Sequence, residues 1–321
     1  MTEANALPWL LEADNPSARS LTLTGLLARP ADAPEVMAAQ AAIPGWGPAR
    51  AILDAQWPAG YWMHPGVGYS PKYKATIWQV IFLAQLGAPR VEAIDRACTY
   101  VLDHALLPDG RFTADKTTKG AILCLGGNLL RAMVQLGCPD PRIEQSLEVL
   151  ATTAVRDGFR CRCNASPRAA QHRDGLPCAW GAVKVLGALA QVPAEQRSAA
   201  VQAAIEAGIA FLLSGDPATG DYPAATRPSA LWQKLSFPLG YASDQLEALE
   251  VLSAVPSAAG KPGVGHDPRL TSVIEAVLSK QDESGRWALE HTLANTWARF
   301  GTVGRPNKWV TIRALRVLNR C

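Results

Sequence analysis

Gln56-Trp57-Pro58-Ala59-Gly60-Tyr61-Trp62 is a glycine-plus-aromatic turn, and four turns of the same kind follow it. They are Pro108-Asp109-Gly110-Arg111-Phe112, Arg156-Asp157-Gly158-Phe159, Thr219-Gly220-Asp221-Tyr222 and Gln281-Asp282-Glu283-Ser284-Gly285-Arg286-Trp287. Each turn lies between an amphipathic stretch and a more apolar one. One helix–turn–helix unit is therefore written five times. Repeats of about 20–50 residues mark architectures in which each unit buries its apolar face only against its neighbours.

The two helices of a unit differ in character. From Arg90 to Ala105, Val91, Ile94, Cys98, Val101 and Leu102 fall on one stripe, with Glu92, Asp95, Arg96 and Asp103 elsewhere. That pattern predicts a surface helix with one buried face. Ala75 to Gly87 is broken only by Thr76, Gln79 and Gln85, and Gly181 to Val192 only by Lys184 among charged residues. A helix apolar nearly all round is enclosed by protein. Enclosed second helices are expected to begin near Lys74, Cys124, Cys178, Tyr241 and Val310. Asp140-Pro141 and Asp267-Pro268 read as helix starts, Gly87 and Gly137 as helix ends. An inner ring of apolar helices inside an outer ring of amphipathic ones satisfies both patterns. The expected fold is all-α, a single α/α toroid of about five to six inner/outer helix pairs over residues 1–321. Residues 1–33 would form short capping helices and residues 34–321 the helix pairs.

Composition sets limits on function. The 321 residues are 48% hydrophobic and 18% charged, enough for one large core. A net charge of +3 gives no electrostatic bias toward nucleic acid. No apolar run approaches the length of a membrane span. Met1-Thr2-Glu3-Ala4-Asn5 lacks the basic and apolar regions of a signal peptide, so the expected location is the cytoplasm. There, clustered cysteines are expected to be reduced and to serve as metal ligands or reactive thiols.

Gln56 to Trp62 and Gln281 to Trp287 both read Gln-x-x-x-Gly-x-Trp. This resembles the QW-type repeat of squalene-hopene cyclases and related prenyltransferase β-subunits, over roughly residues 34 to 321. The resemblance implies inner helices around a central cavity, with loops at one end forming its mouth. It also implies that Gln56, Trp62, Gln281 and Trp287 tie each turn to a neighbouring outer helix. The chain departs from its relatives in chemistry. It has no Asp-x-Asp-Asp acid motif and material for only one toroid, so squalene protonation by that acid is not expected. Protein prenyltransferases bind zinc through an Asp, a Cys and a His and need a partner subunit. The toroidal lanthionine cyclases bind it through two Cys and one His. Neither set is matched here by motif.

Gly158-Phe159-Arg160-Cys161-Arg162-Cys163-Asn164, followed by His172 and Cys178, is the densest cluster of metal-binding residue types. Cys178 and Cys124 each open an inner helix. In a toroid those starts are neighbours, so Cys124, Cys161, Cys163, His172 and Cys178 can converge at the mouth. Thiolates with imidazole favour zinc, with four tetrahedral ligands or three and an open position. The expectation is zinc held by Cys124, Cys161 and Cys178, with His172 or Cys163 as the fourth ligand. Buried small cysteines or a reactive thiol are the alternatives. Cys98, Cys138 and Cys321 are expected to take no part.

Near the same mouth, Asp244, His291, Tyr241 and Tyr73 are the candidates for moving protons. Asp244 reads equally as a helix cap. Lys74, Trp78, Asn128, Trp309 and Arg299 are the candidates for holding a substrate, through aromatic faces and anion contacts. The expected function is a zinc-dependent enzyme acting on a largely apolar terpenoid or aromatic small molecule, by a lyase or cyclase step. A zinc-stabilised binding protein and a prenyltransferase β-like subunit are the other readings, and a homodimer is compatible with all of them.

Overall fold

The apolar stretches form inner helices and the striped ones outer helices. The computed structural model describes residues 3–160, 177–222, 230–255 and 264–321. Among these residues it is all-α, with thirteen α-helices and isolated bridges in place of strands. Numbered in chain order, they are α1 (Glu3–Leu10), α2 (Pro16–Gly25), α3 (Pro34–Ala42), α4 (Gly47–Leu53), α5 (Thr76–Gln85), α6 (Glu92–Ala105) and α7 (Leu123–Gln135). Then come α8 (Pro141–Asp157), α9 (Ala179–Leu189), α10 (Ala199–Leu212), α11 (Gln245–Ala254), α12 (Thr271–Leu278) and α13 (Lys308–Leu318).

The inner helices close a ring. Neighbour packing runs α5 on α7, α7 on α9, α9 on α11, α11 on α13 and α13 on α2. The circuit is completed by Ser17 of α2, whose hydroxyl donates to the Leu86 carbonyl just beyond α5 at 2.6 Å. Thus α2 stands as a sixth inner helix between α13 and α5. Outside the ring, α3 packs on α2, α4 and α6 on α5, α8 on α7, α10 on α9 and α12 on α11. Ile77, Trp78, Val80, Ile81, Phe82 and Leu83 of α5 are all buried, so that helix contacts protein on every side. On α6 burial is confined to Ile94, Ala97, Cys98, Tyr100, Val101, Leu102 and Ala105, and the charged residues stay outside it. Burial of one such side chain contributes about 1.5–3 kcal/mol relative to leaving it exposed.

The QW-type turns act as ties. The Trp62 indole donates to the Ile52 carbonyl at 2.7 Å, and its backbone N–H to the Thr76 hydroxyl at 3.0 Å. Trp287 repeats this with the Val277 carbonyl at 2.7 Å and Thr311 at 3.0 Å. Each tryptophan thus bonds its own outer helix to its own inner helix. Gln56 reaches the next unit, donating to the Ala93 carbonyl of α6 at 2.8 Å. Gly60, at φ +95°, makes that approach feasible, because a Cβ there would stand 2.6 Å from the Arg96 carbonyl oxygen. Gln281 ends the series, and its buried amide nitrogen has no partner among the described residues. Helix ends follow the sequence: Asp140 caps α8, Asp267 caps a 3-10 turn (Pro268–Leu270) that leads into α12, and Gly87 and Gly137 take positive φ.

Cys98 and Cys138 depart from expectation, since they are paired as a disulfide. The buried stripe of α6 meets the residues just after α7, which puts the two sulfurs together. Peptide mapping without reductant is expected to give one linked species carrying both cysteines. Two separately alkylated peptides would refute the pairing.

Candidate functional site

The starts of α7 and α9 form one rim. Beside Gly181, the Cys178 sulfur of the α9 cap and the Leu123 Cβ of α7 both lie 3.9 Å from the position a Cβ would occupy. One turn further on, Gly127 of α7 lies against the Lys184 backbone of α9, too close for any side chain. The two helices therefore run parallel and start together. Cys124 and Cys178 are both half-buried there. Cys161, Cys163 and His172 lie outside the described residues. Among the described residues no group of three or more His, Cys, Asp or Glu is placed to hold a metal ion.

Aromatic side chains gather at this rim. Tyr69 and Tyr73 flank Trp78 with centroids 5.4 and 5.0 Å away, and Trp180 meets Tyr241 edge-on at 5.9 Å. The Lys72 ammonium stands 4.4 Å from the Tyr241 ring centroid and 5.7 Å from that of Tyr69. Lys74 lies 4.9 Å over Trp297. Burial pushes the Tyr73 phenol up, with Tyr241 and Tyr69 adding to the effect, so it stays neutral at physiological pH. Trp78 is buried and donates its indole N–H to the Tyr69 carbonyl at 2.8 Å. Arg299 is exposed. His291 is half-buried and bridges to Ser236; burial, with Lys234, lowers its pKa, which leaves the ring uncharged near pH 7.

Below the rim the axis of the ring is crossed by the segment from Leu235 to Gly240. Phe237 stacks on Trp309 at 4.7 Å with rings 5° from parallel, and meets Phe300 edge-on at 5.8 Å. The Leu239 backbone exchanges two 2.8 Å hydrogen bonds with the Gln85 side chain of α5. Asn128 of α7 donates to the Gly240 carbonyl at 2.8 Å. Asn128 of α7 and Trp309 of α13 lie on opposite sides of the ring, so the segment divides the interior. Asn128 and Trp309 belong to this plug, and Trp309 also donates to Ser17 at 2.9 Å.

Asp244 caps α11 and is buried. It accepts from the Glu247 N–H at 2.7 Å, the Ser236 N–H at 2.8 Å and Arg313 at 3.1 Å. Burial raises its carboxyl above the usual value, against the pull of Arg313. It belongs to an ionic cluster that sequence reasoning did not assemble. Lys184 of α9 donates to both oxygens of Glu247 at 2.8 and 2.7 Å, with the two side chains 0% and 1% exposed. Arg131 of α7 reaches Glu247 at 3.3 Å, and Arg313 of α13 holds Glu250 at 2.8 Å. Burial alone would raise Glu247, but Lys184 and Arg131 outweigh it and hold its carboxyl below the ordinary value. The available signal was the lone Lys184 on an enclosed helix, because a buried charge requires a partner.

Beneath the plug lies a cavity of about 350 Å³, bounded by α2, α5, α7, α11 and α13. The interior thus holds two places for chemistry, the aromatic rim above and the partly charged cavity below.

No protein-family model matches the chain, and no curated protein matches it. Solved structures similar to it include the type II terpene cyclase MstE from Scytonema. The apo form is 15% identical with a TM-score of 0.29, covering 95% of this chain and 97% of that one. A variant in complex with its product, merosterolic acid A, is 14% identical with a TM-score of 0.33, covering 96% and 97%. A variant with its substrate, geranylgeranyl dihydroxybenzoate, is 13% identical with a TM-score of 0.31, again covering 96% and 97%. Likenesses of that size assign neither a residue nor an activity to this chain. No helix among the described residues is long and apolar enough to cross a membrane.

Proposed function

We propose that the protein is an enzyme of the lyase or cyclase type, holding a largely apolar terpenoid or aromatic small molecule at the rim of its toroid. The observation that supports this most is the Lys72 ammonium set over the Tyr241 and Tyr69 rings. Those ring faces share a space and already hold one cation. They are able to stabilise positive charge that develops on a bound hydrocarbon skeleton. Tyr73, kept neutral, presents a phenolic O–H in the same space. Lys74 provides a cation for an anionic group of the substrate.

Zinc is part of the proposal through Cys124, Cys161 and Cys178, with His172 or Cys163 as the fourth ligand, where it would polarise a substrate oxygen or a bound water. The described residues supply two of those sulfurs, and a zinc centre takes three or four protein ligands. Metal analysis of protein purified without chelator tests this part, and a zinc content near zero in folded protein removes it.

The rim is tested by fluorescence titration with farnesylamine and with farnesol. Once the ring faces are free of the Lys72 ammonium, the amine is expected to bind about tenfold tighter than the alcohol, as for a desolvated cation on aromatic faces. Lys72→Ala, which vacates the ring faces, should strengthen amine binding, and Tyr241→Leu should abolish the preference. No binding of either probe, or equal binding that Tyr241→Leu leaves unchanged, would end this reading.

A further inference from the structure

The cavity beneath the plug carries one more cation than it has carboxylates. On its wall Arg131, Arg313 and Arg316 meet two carboxylates, Glu247 and Glu250, while Lys184 pairs with Glu247 and Asp244 with Arg313 from outside the lining. Lys184 and Arg131 share Glu247, while Arg313 takes both Asp244 and Glu250. Arg316 is the cation left over. Among the described residues its only hydrogen bond is to the Leu21 carbonyl at 3.3 Å, and its buried Nε has no partner. Burial pushes its guanidinium down from the ordinary value, against the pull of Glu250, which Arg313 already holds. The fold makes room for it all the same, because Gly25 lacks the Cβ that would collide with the guanidinium. A largely desolvated cation whose nearby carboxylate is already held by another guanidinium is costly, and an anion beside it reduces that cost.

The rest of the wall says what else the ligand carries. Leu21, Ile81, Ala132, Phe237, Trp309 and Ile312 give the same cavity an apolar side. We propose that this cavity is a binding site for a small amphiphilic molecule with an oxyanion head, carboxylate or phosphate, whose head meets Arg316 and Arg131 and whose apolar part lies against Phe237 and Trp309. It is separated from the aromatic rim by the plug, so it does not depend on the function proposed for that rim. A guanidinium presents a planar fork that matches either oxyanion.

Calorimetric titration of the whole protein with octanoate and with inorganic phosphate, in chloride buffer, tests the site. At least one probe is expected to bind and to raise the melting temperature. Tighter octanoate binding assigns a carboxylate amphiphile, and tighter phosphate binding a phosphate ester. Arg316→Gln should weaken the bound probe about tenfold or more, the loss of a charge-assisted hydrogen bond. Thr24→Glu, which places a carboxylate on the same cavity wall, should abolish binding while leaving the fold intact. Arg316→Gln removes an unpaired charge, so it should melt no lower than the parent. Failure of both probes to bind overturns the proposal, as does binding that both variants retain. Farnesylamine affinity at the rim should be the same in both variants, which keeps the two sites distinguishable.

Discussion

Glu247→Ala is expected to destabilise the protein by about 3–5 kcal/mol, the usual penalty for stripping one partner from a buried ion pair. The carboxylate is 1% exposed and takes two hydrogen bonds from Lys184, itself 0% exposed, and one from Arg131. Without it, two cations stay in the ring interior with no counterion. Total stabilities of single domains are about 5–15 kcal/mol, so a loss of this size is a large fraction of the whole. Urea denaturation of the variant measures it. The double variant Lys184→Met with Glu247→Leu should recover much of the loss, because apolar groups of similar volume need no partner. An exposed pair provides the reference. Arg50 and Asp54, both 67% exposed, should change stability by less than about 1 kcal/mol when separated. If Glu247→Ala cost as little as the Arg50 variant, the ionic cluster would not hold α7, α9 and α11 together.

The helices were legible in the sequence because periodicity is a local property. Enclosed helices expected near Lys74, Cys124, Cys178, Tyr241 and Val310 begin at Thr76, Leu123, Ala179, Gln245 and Lys308. The turn tryptophans were legible for the same reason, since Trp62 and Trp287 sit in a motif whose bonds run to residues close in sequence. The plug was not. Phe237 and Leu239 sit in a stretch with no helical period, and their partners Gln85, Asn128 and Trp309 are set by ring closure. The charged interior was half legible. Lys184 stood out on its helix, while Glu247, Glu250, Arg313 and Arg316 carry no comparable local signal, and only the packing of α11 and α13 brings them together. Asp244, a candidate for moving protons, is drawn into that cluster as a cap and an Arg313 partner.

Phe237→Ala should cost about 3–5 kcal/mol and join the two compartments of the ring. Large-to-small changes in a core lose both the transferred surface and the contacts around the void that remains. Phe237 is 2% exposed, stacked on Trp309 and edge-on to Phe300, so its neighbours are themselves fixed by packing. Trp309 is anchored by Ser17, and Phe300 meets Phe82 at 5.8 Å, which limits collapse into the gap. Phe237→Leu keeps most of the volume and should cost much less than the alanine variant. The functional consequence separates the plug from plain core. With the ring gone, the lower cavity opens toward the rim, and farnesylamine should gain affinity by extending its tail downward. Urea denaturation and amine titration of the two variants report both effects. A loss below about 1 kcal/mol for Phe237→Ala, or unchanged amine affinity in a folded variant, would mean that Phe237 does not divide the interior.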